Sequence, residues 1–182
     1  MCCRAMSLRP HRDLSRYFDA KTKSPDFIQE ELTPGHLVTT VRQLAPHGRV
    51  LSRMVWGFET YNNILYNARS EDIKPRFKDA FLHRRCIVPV CSFVEGKASF
   101  LPANEPFFNM AGIWEKPHDE LRVTVLTIAA QGVVKDYHHR MPVLLAKESL
   151  NWWLTHWITD LASMRDEIPS HQYDSRLIQL AA

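Results

Sequence analysis

Arg85-Cys86-Ile87-Val88-Pro89-Val90-Cys91-Ser92-Phe93-Val94-Glu95 is an apolar, β-branched run that closes on a carboxylate. Its Ile, Val and Phe content, with no helical repeat of polar positions, predicts a buried strand with Glu95 at its edge or end. Downstream, residues 107–114 and 121–129 give two more strand signals, the second rich in Val, Thr, Leu and Ile and flanked by charge. Apolar character resumes once more at residues 143–145. Upstream, residues 36–41 and 50–58 alternate well enough for strands, with a turn near Pro46, His47 and Gly48 and an earlier loop around Ser24, Pro25 and Pro34. Helical spacing is confined to three places. Leu14, Tyr17 and Phe18 share a face in a basic segment; Phe77 and Phe81 do so within residues 75–82; Trp152, Trp153 and Trp157 form an apolar face within residues 148–161. Strands that follow one another without regular helices between them argue for a β-rich α+β fold rather than a doubly wound parallel sheet.

The 182 residues suit a single domain, residues 1–182, with material for a substantial core. At 45% hydrophobic and 24% charged, the composition excludes a disordered or fibrous chain. No run approaches the ~18 apolar residues of a membrane span, and the first residues have no apolar signal core, so a cytoplasmic protein with no membrane partner is expected. Cys2, Cys3, Cys86 and Cys91 do not make a disulfide framework in a chain this size, which fits a reducing compartment. Cys86 and Cys91 lack a second pair at structural-zinc spacing, so no metal or other cofactor is expected. A net charge of +3 does not by itself demand a nucleic-acid partner. The distribution says more: Arg4, Arg9, Arg12 and Arg16 precede or surround the single Asp13, and Arg, whose planar fork suits phosphate, outnumbers Lys fifteen to eight.

Four polar signals interrupt this pattern: Cys2-Cys3-Arg4, Asn67-Ala68-Arg69-Ser70-Glu71, Glu95, and His138-His139-Arg140-Met141-Pro142. With Met1 removed, Cys2 carries an α-amine and a thiol on neighbouring carbons. The amine titrates near ~7.7–8.0 and the thiol near ~8.5, so both have reactive fractions at neutral pH. Such a pair can trap an aldehyde, the amine as an imine and the thiolate by closing a five-membered thiazolidine.

In this order the signals resemble the SRAP family, the SOS-response-associated peptidase domain that processes abasic sites in single-stranded DNA. The family pattern runs Met-Cys-Gly-Arg, Trp-Gly-Leu, Asn-Ala-Arg-Ser-Glu, Arg-Cys-(apolar)-(apolar)-Pro with a later Glu, Ala-Gly-(apolar)-Trp and His-x-Arg-Met-Pro. The chain supplies Trp56-Gly57-Phe58, Asn67 to Glu71, Arg85-Cys86 with Pro89 and Glu95, Ala111-Gly112-Ile113-Trp114, and His138 to Pro142. It departs at Cys3, where the family has Gly, at Val94 and Gly96, where the family tends to Tyr and Trp, and at Ala129-Ala130-Gln131, where hydroxyls are usual. Between Trp56 and Asn67 the customary second Trp is missing, which leaves Tyr61 as a substitute.

The resemblance implies mostly antiparallel mixed sheets forming a pseudo-barrel with a few flanking helices. It further implies that Cys2 is the nucleophile, Glu95 the proton carrier, His138 an aid to sugar-ring opening, and Asn67 an orienting amide. Arg4, Arg69 and Arg140 would grip phosphates, while Trp56 and Tyr61 would stack on bases. The implied partner is single-stranded DNA containing abasic sites, bound by a monomer that joins the nucleoid when on DNA. A covalent thiazolidine cross-link, a self-processing peptidase activity and a weak lyase activity follow from the same groups. Two other readings stay open on the residues alone: an amidohydrolase with an N-terminal cysteine nucleophile, and a single-stranded DNA-binding module whose substitutions have ended catalysis.

Overall fold

The computed structural model describes residues 4–7, 10–22, 31–44, 48–155 and 160–181. Cys2, Cys3, Arg9, Ser24, Pro25, Pro46, His47 and Trp157, on which expectations were placed, lie outside the described residues. In chain order the strands of the first half are β1 (Arg4–Met6), β2 (Ala20–Lys21), β3 (Glu31–Leu32), β4 (Leu37–Leu44), β5 (Gly48–Trp56), β6 (Phe58–Glu59), β7 (Ile64–Leu65) and β8 (Asn67–Arg69). Those of the second half are β9 (Arg85–Val90), β10 (Ser92–Glu95), β11 (Ala98–Pro102), β12 (Phe108–Glu115), β13 (Arg122–Ala129), β14 (Arg140–Pro142), β15 (Leu144–Leu145) and β16 (Ile178–Leu180). Helices α1 (His11–Phe18), α2 (Pro75–His83), α3 (Leu150–Thr155) and α4 (Leu161–Glu167) flank them. The result is a strand-rich α+β fold.

Five long strands close on themselves. β13, β12, β9, β4 and β5 are antiparallel neighbours in that order, and β5 returns to β13 through a parallel pairing of Val55 with Arg122 and Trp56 with Val123. Closure removes the unpaired edges that an open sheet would expose. Val41, Met54, Ile87, Met110, Ile113 and Val125, all fully buried, come from all five ring strands. Gly112 is tightly surrounded: a Cβ there would lie 3.0 Å from Cys86 Sγ and 3.1 Å from Val123 Cγ2, so these side chains would have to give way. A second, wholly antiparallel sheet runs β16-β11-β10-β1-β3.

The run 85–95 is two strands, not one. β9 belongs to the barrel and is buried along its whole length, which explains why its sequence is continuously apolar. At Cys91 the chain leaves the barrel and β10 enters the other sheet, the Cys91 N–H donating to the Met6 carbonyl at 2.7 Å. Hydrophobic periodicity carries no mark of a change of sheet, so the two strands read as one. Glu95 does stand at a strand end, as expected.

Residues 148–161 likewise split. A single 3₁₀ turn, Lys147–Ser149, leads into α3, and Asp160 caps α4, its carboxylate accepting the N–H groups of Ala162 at 3.2 Å and Ser163 at 2.9 Å. Trp153 of α3 is buried and donates its indole N–H to the Cys86 carbonyl at 2.7 Å, pinning the helix to β9. Arg85 answers from β9, its Nε donating to the Trp153 carbonyl at 2.7 Å and its Nη1 to the last carbonyls of α2, Phe81 and Leu82. Desolvation pushes this buried guanidinium down to about 10.

Candidate active site

β1 runs antiparallel to β10 with Arg4 opposite Val94. One residue further along β10, Glu95 is 1% exposed. After β13 a 3₁₀ turn, Gly132–Asp136, returns the chain toward β14 and sets His138 against that carboxylate, Nδ1 3.2 Å from Oε2. The same Nδ1 lies 2.9 Å from the Arg140 carbonyl oxygen and 3.1 Å from the Arg140 backbone nitrogen. Protonated, Nδ1 donates to carboxylate or carbonyl; unprotonated, it accepts the N–H, so both protonation states have a partner in place. Burial raises the Glu95 carboxyl above the usual carboxylate range, a shift that the positive charge of His138 opposes. A carboxyl raised in this way keeps its proton to higher pH than a solvated one, the direction that suits a group meant to pass protons to a bound substrate.

Glu95 and His138 line a cavity of about 570 Å³ with Arg4, Glu31, Thr33, Val94 and Gly96. Three residues named from sequence, Arg4, Glu95 and His138, therefore meet in one place. Two others in it were not foreseen. Glu31, on β3, holds its Oε1 3.7 Å from Arg4 Nε, with both side chains about half exposed. Thr33 follows on the same segment. Nothing near Glu31 in sequence marks it; the pairing of β3 with β1 brings it there. Gly96 takes φ +61°, and a Cβ would come 3.1 Å from the Tyr137 carbonyl oxygen, so the rim of the cavity stays open at this position.

Asn67 and Arg69 approach from another direction. They lie on β8, which pairs with one side of β13, Asn67 opposite Val125 and Arg69 opposite Thr127, while β14 pairs with the other side. Arg69 is exposed, and its charge joins those of His138 and Arg140 in lowering the His139 pKa, behind desolvation as the leading cause.

Arg140, expected to hold phosphate, is 7% exposed and committed elsewhere. It reaches across β13 to clasp Glu71 with both Nη atoms, Nη2 also donating to the Thr127 carbonyl at 2.7 Å and hydroxyl at 3.0 Å. The guanidinium ties the Asn67–Glu71 segment to the His138–Pro142 segment. Trp56, expected to stack on bases, is 2% exposed and donates its indole N–H to the Tyr66 carbonyl at 3.0 Å. Its ring is core, with no face left for a base. Tyr61 is 100% exposed but lines a separate cavity with Glu59, Arg76, Glu115 and Arg122. Cys2 lies outside the described residues. Among the described residues no group of three or more His, Cys, Asp or Glu side chains could hold a metal ion, and no helix is long and apolar enough to cross a membrane.

Residues 1–180 match the family model described as SOS response associated peptidase, SRAP. The chain belongs to the SRAP family. Among curated proteins it is similar to the abasic site processing protein YoaM of Bacillus subtilis strain 168, 27% identical over 165 residues, covering 78% of this chain and 71% of YoaM. It is 28% identical over 152 residues to the abasic site processing protein YoqW of Bacillus phage SPbeta, covering 71% of this chain and 67% of YoqW. A solved structure of a protein from Bordetella bronchiseptica superposes with a TM-score of 0.81 at 21% identity, over 100% of this chain and 99% of that one. One from Bacteroides thetaiotaomicron gives 0.78 at 21% identity, over 98% and 90%. At these identities the structures speak for the shared SRAP fold alone.

Proposed function

We propose that this SRAP protein binds single-stranded DNA at abasic sites and captures the lesion covalently through Cys2. The observation that carries the reading is the Glu95–His138 pair in a cavity that β1 feeds. With consecutive Cα atoms ~3.8 Å apart, Cys2 Cα can be no more than ~7.6 Å from that of Arg4, a lining residue of the same cavity. Chain connectivity thus limits how far the proposed nucleophile can lie from Arg4, which lines the same cavity as Glu95 and His138.

In the proposed sequence the Cys2 amine attacks the aldehyde of the ring-opened sugar, giving a carbinolamine that expels water to leave an imine. The thiolate then adds to the imine carbon and nitrogen takes a proton, closing the thiazolidine with net loss of one water. Glu95 moves the protons at the carbinolamine oxygen and imine nitrogen, and His138 donates to the sugar ring oxygen during opening. Asn67 orients the amine. Arg4 and Arg69, both exposed, take the flanking phosphates, each charge-assisted contact contributing about 1.5–3 kcal/mol before desolvation. The imine stage permits β-elimination of the 3′ phosphate, a weak lyase activity. Hydrolysis of the Met1–Cys2 bond by the same groups is the peptidase activity to be expected, with the chain acting on itself. The protein works as a monomer in the cytoplasm.

The test is an adduct assay. Intact mass first establishes whether Met1 is absent; the protein is then mixed with single-stranded DNA carrying one abasic site and resolved under denaturing conditions. A heat- and SDS-stable adduct that Cys2→Ala does not form is the expected result. No adduct with wild type, or an equal amount with Cys2→Ala, overturns the proposal.

A further inference from the structure

With Trp56 in the core and Tyr61 at another cavity, neither ring expected to meet DNA borders Glu95. Other rings do. His138 is flanked in the chain by two exposed aromatic side chains, Tyr137 and His139. Tyr137 is 45% exposed, yet its ring is not loose: it packs edge-on against the buried Phe100, centroids 5.7 Å apart at 75°. Its carbonyl oxygen would lie 3.1 Å from a Cβ placed at Gly96, a residue that lines the cavity. His139 lies against the His138 imidazole, centroids 4.4 Å apart at 36°, and its carbonyl is held by the Ala130 N–H at 3.0 Å. Both rings are therefore oriented from behind and open in front.

We infer that Tyr137 and His139 form a stacking platform for the nucleobases on either side of the abasic site, resting on the proposed function for the identity of the strand. The lesion has no base, so its sugar can enter the cavity at His138 while neighbours on the strand remain outside with their π-faces unsatisfied. An exposed aromatic side chain stands immediately before and immediately after, in the chain, the residue proposed to meet the sugar. Desolvation, with the charges of His138, Arg140 and Arg69 behind it, keeps the His139 imidazole neutral to lower pH than usual, which favours flat stacking over phosphate pairing. Phosphate contact is left to Arg4 and Arg69. The platform is indifferent to sequence, since every base offers a π-face.

The experiment uses the full chain and single-stranded DNA with 2-aminopurine placed next to the abasic site, on the 5′ side in one strand and the 3′ side in another. Wild type is expected to quench the probe in both. Tyr137→Ala and His139→Ala should each relieve quenching on one side and weaken binding roughly 5- to 150-fold, the equivalent of ~1–3 kcal/mol per stacked base. Tyr137→Phe and His139→Phe keep a ring and should retain both quenching and affinity; melting temperatures guard against misfolding. The dependence of log K on log salt should be the same in all variants. Unquenched probe with wild type, full quenching by both Ala variants, or a salt slope reduced by ~1 in His139→Ala, the mark of a lost phosphate contact, overturns the inference. Loss of affinity in the Phe variants overturns it as well. Quenching without any adduct would refute covalent capture and leave the platform standing; an adduct without quenching would do the reverse.

Discussion

Removing the Glu71 carboxylate should destabilise the fold by about 2 kcal/mol, because it strands a nearly buried guanidinium. Arg140 has a side chain only 9% exposed and gives both Nη atoms to Glu71, Nη2 to Oε2 at 2.9 Å. In Glu71→Ala the Thr127 carbonyl and hydroxyl remain, but they bear no charge. Two charge-assisted bonds would be worth about 3–6 kcal/mol in full burial. Glu71 is 47% exposed, so water recovers much of its solvation and screening cuts the figure to about 2 kcal/mol. For a chain of this length that is a fall in Tm of roughly 4–8 °C. The sign with pH is fixed by the Arg140 hydrogen bond, which holds the Glu71 carboxyl below the usual carboxylate range. Its contribution is complete above the unfolded value of ~4.3 and is lost as pH falls through the depressed folded value. Urea denaturation of wild type, Glu71→Gln and Glu71→Ala from pH 7 to the acid limit of folding measures this. The gap between wild type and Glu71→Ala should be widest at pH 7 and close on acidification, with Glu71→Gln between them. A gap below ~0.5 kcal/mol at neutral pH, or one that widens in acid, refutes the account of Arg140 as a strut.

Two further outcomes follow from the cavity. Glu95 has its carboxyl raised by burial, so the folded protein binds more protons than the unfolded chain between the ordinary and raised values, and stability falls as pH rises through that window. Glu95→Gln should flatten this loss and be more stable than wild type at pH 7 while forming the adduct at least ten-fold more slowly; a variant less stable at pH 7, or one of undiminished rate, contradicts that. Glu31 occupies Arg4 before any phosphate arrives, so Glu31→Gln should tighten binding of single-stranded DNA several-fold at low salt, read by fluorescence anisotropy. Unchanged or weaker binding would mean that Arg4 takes no phosphate.

Strand existence was legible because β4, β5, β9, β12 and β13 each carry enough apolar residues to declare themselves. Their closure was not, since the β5–β13 seam joins residues with Val55 and Arg122 far apart in the chain and no local pattern encodes it. The three-residue strands β1 and β16 are too short to show alternation, and β1 is the strand that matters most for the cavity. Glu95 and His138, which the structure brings within 3.2 Å of each other, were singled out through motif order. The burial of Trp56 and Arg140 was not legible from the same motifs: an indole or a guanidinium looks alike in sequence whether it faces outward or braces a core, and its bond to the Tyr66 carbonyl or the Glu71 carboxylate appears only in the fold. Glu31 had no motif at all.

The pairing of β1 with β10 also sets a clock. Arg4 has its partner Val94 some ninety residues later, so on the ribosome β1 can pair with β3 alone until Ser92–Glu95 has been made. At ~5–20 residues per second that interval is roughly 5–20 s. During it β1 is a strand with one neighbour in place of two. Once β10 emerges, Arg4 comes to lie opposite Val94, and both line the cavity. Synthesis order thus delays the wall that these two residues share until about half of the chain has been made.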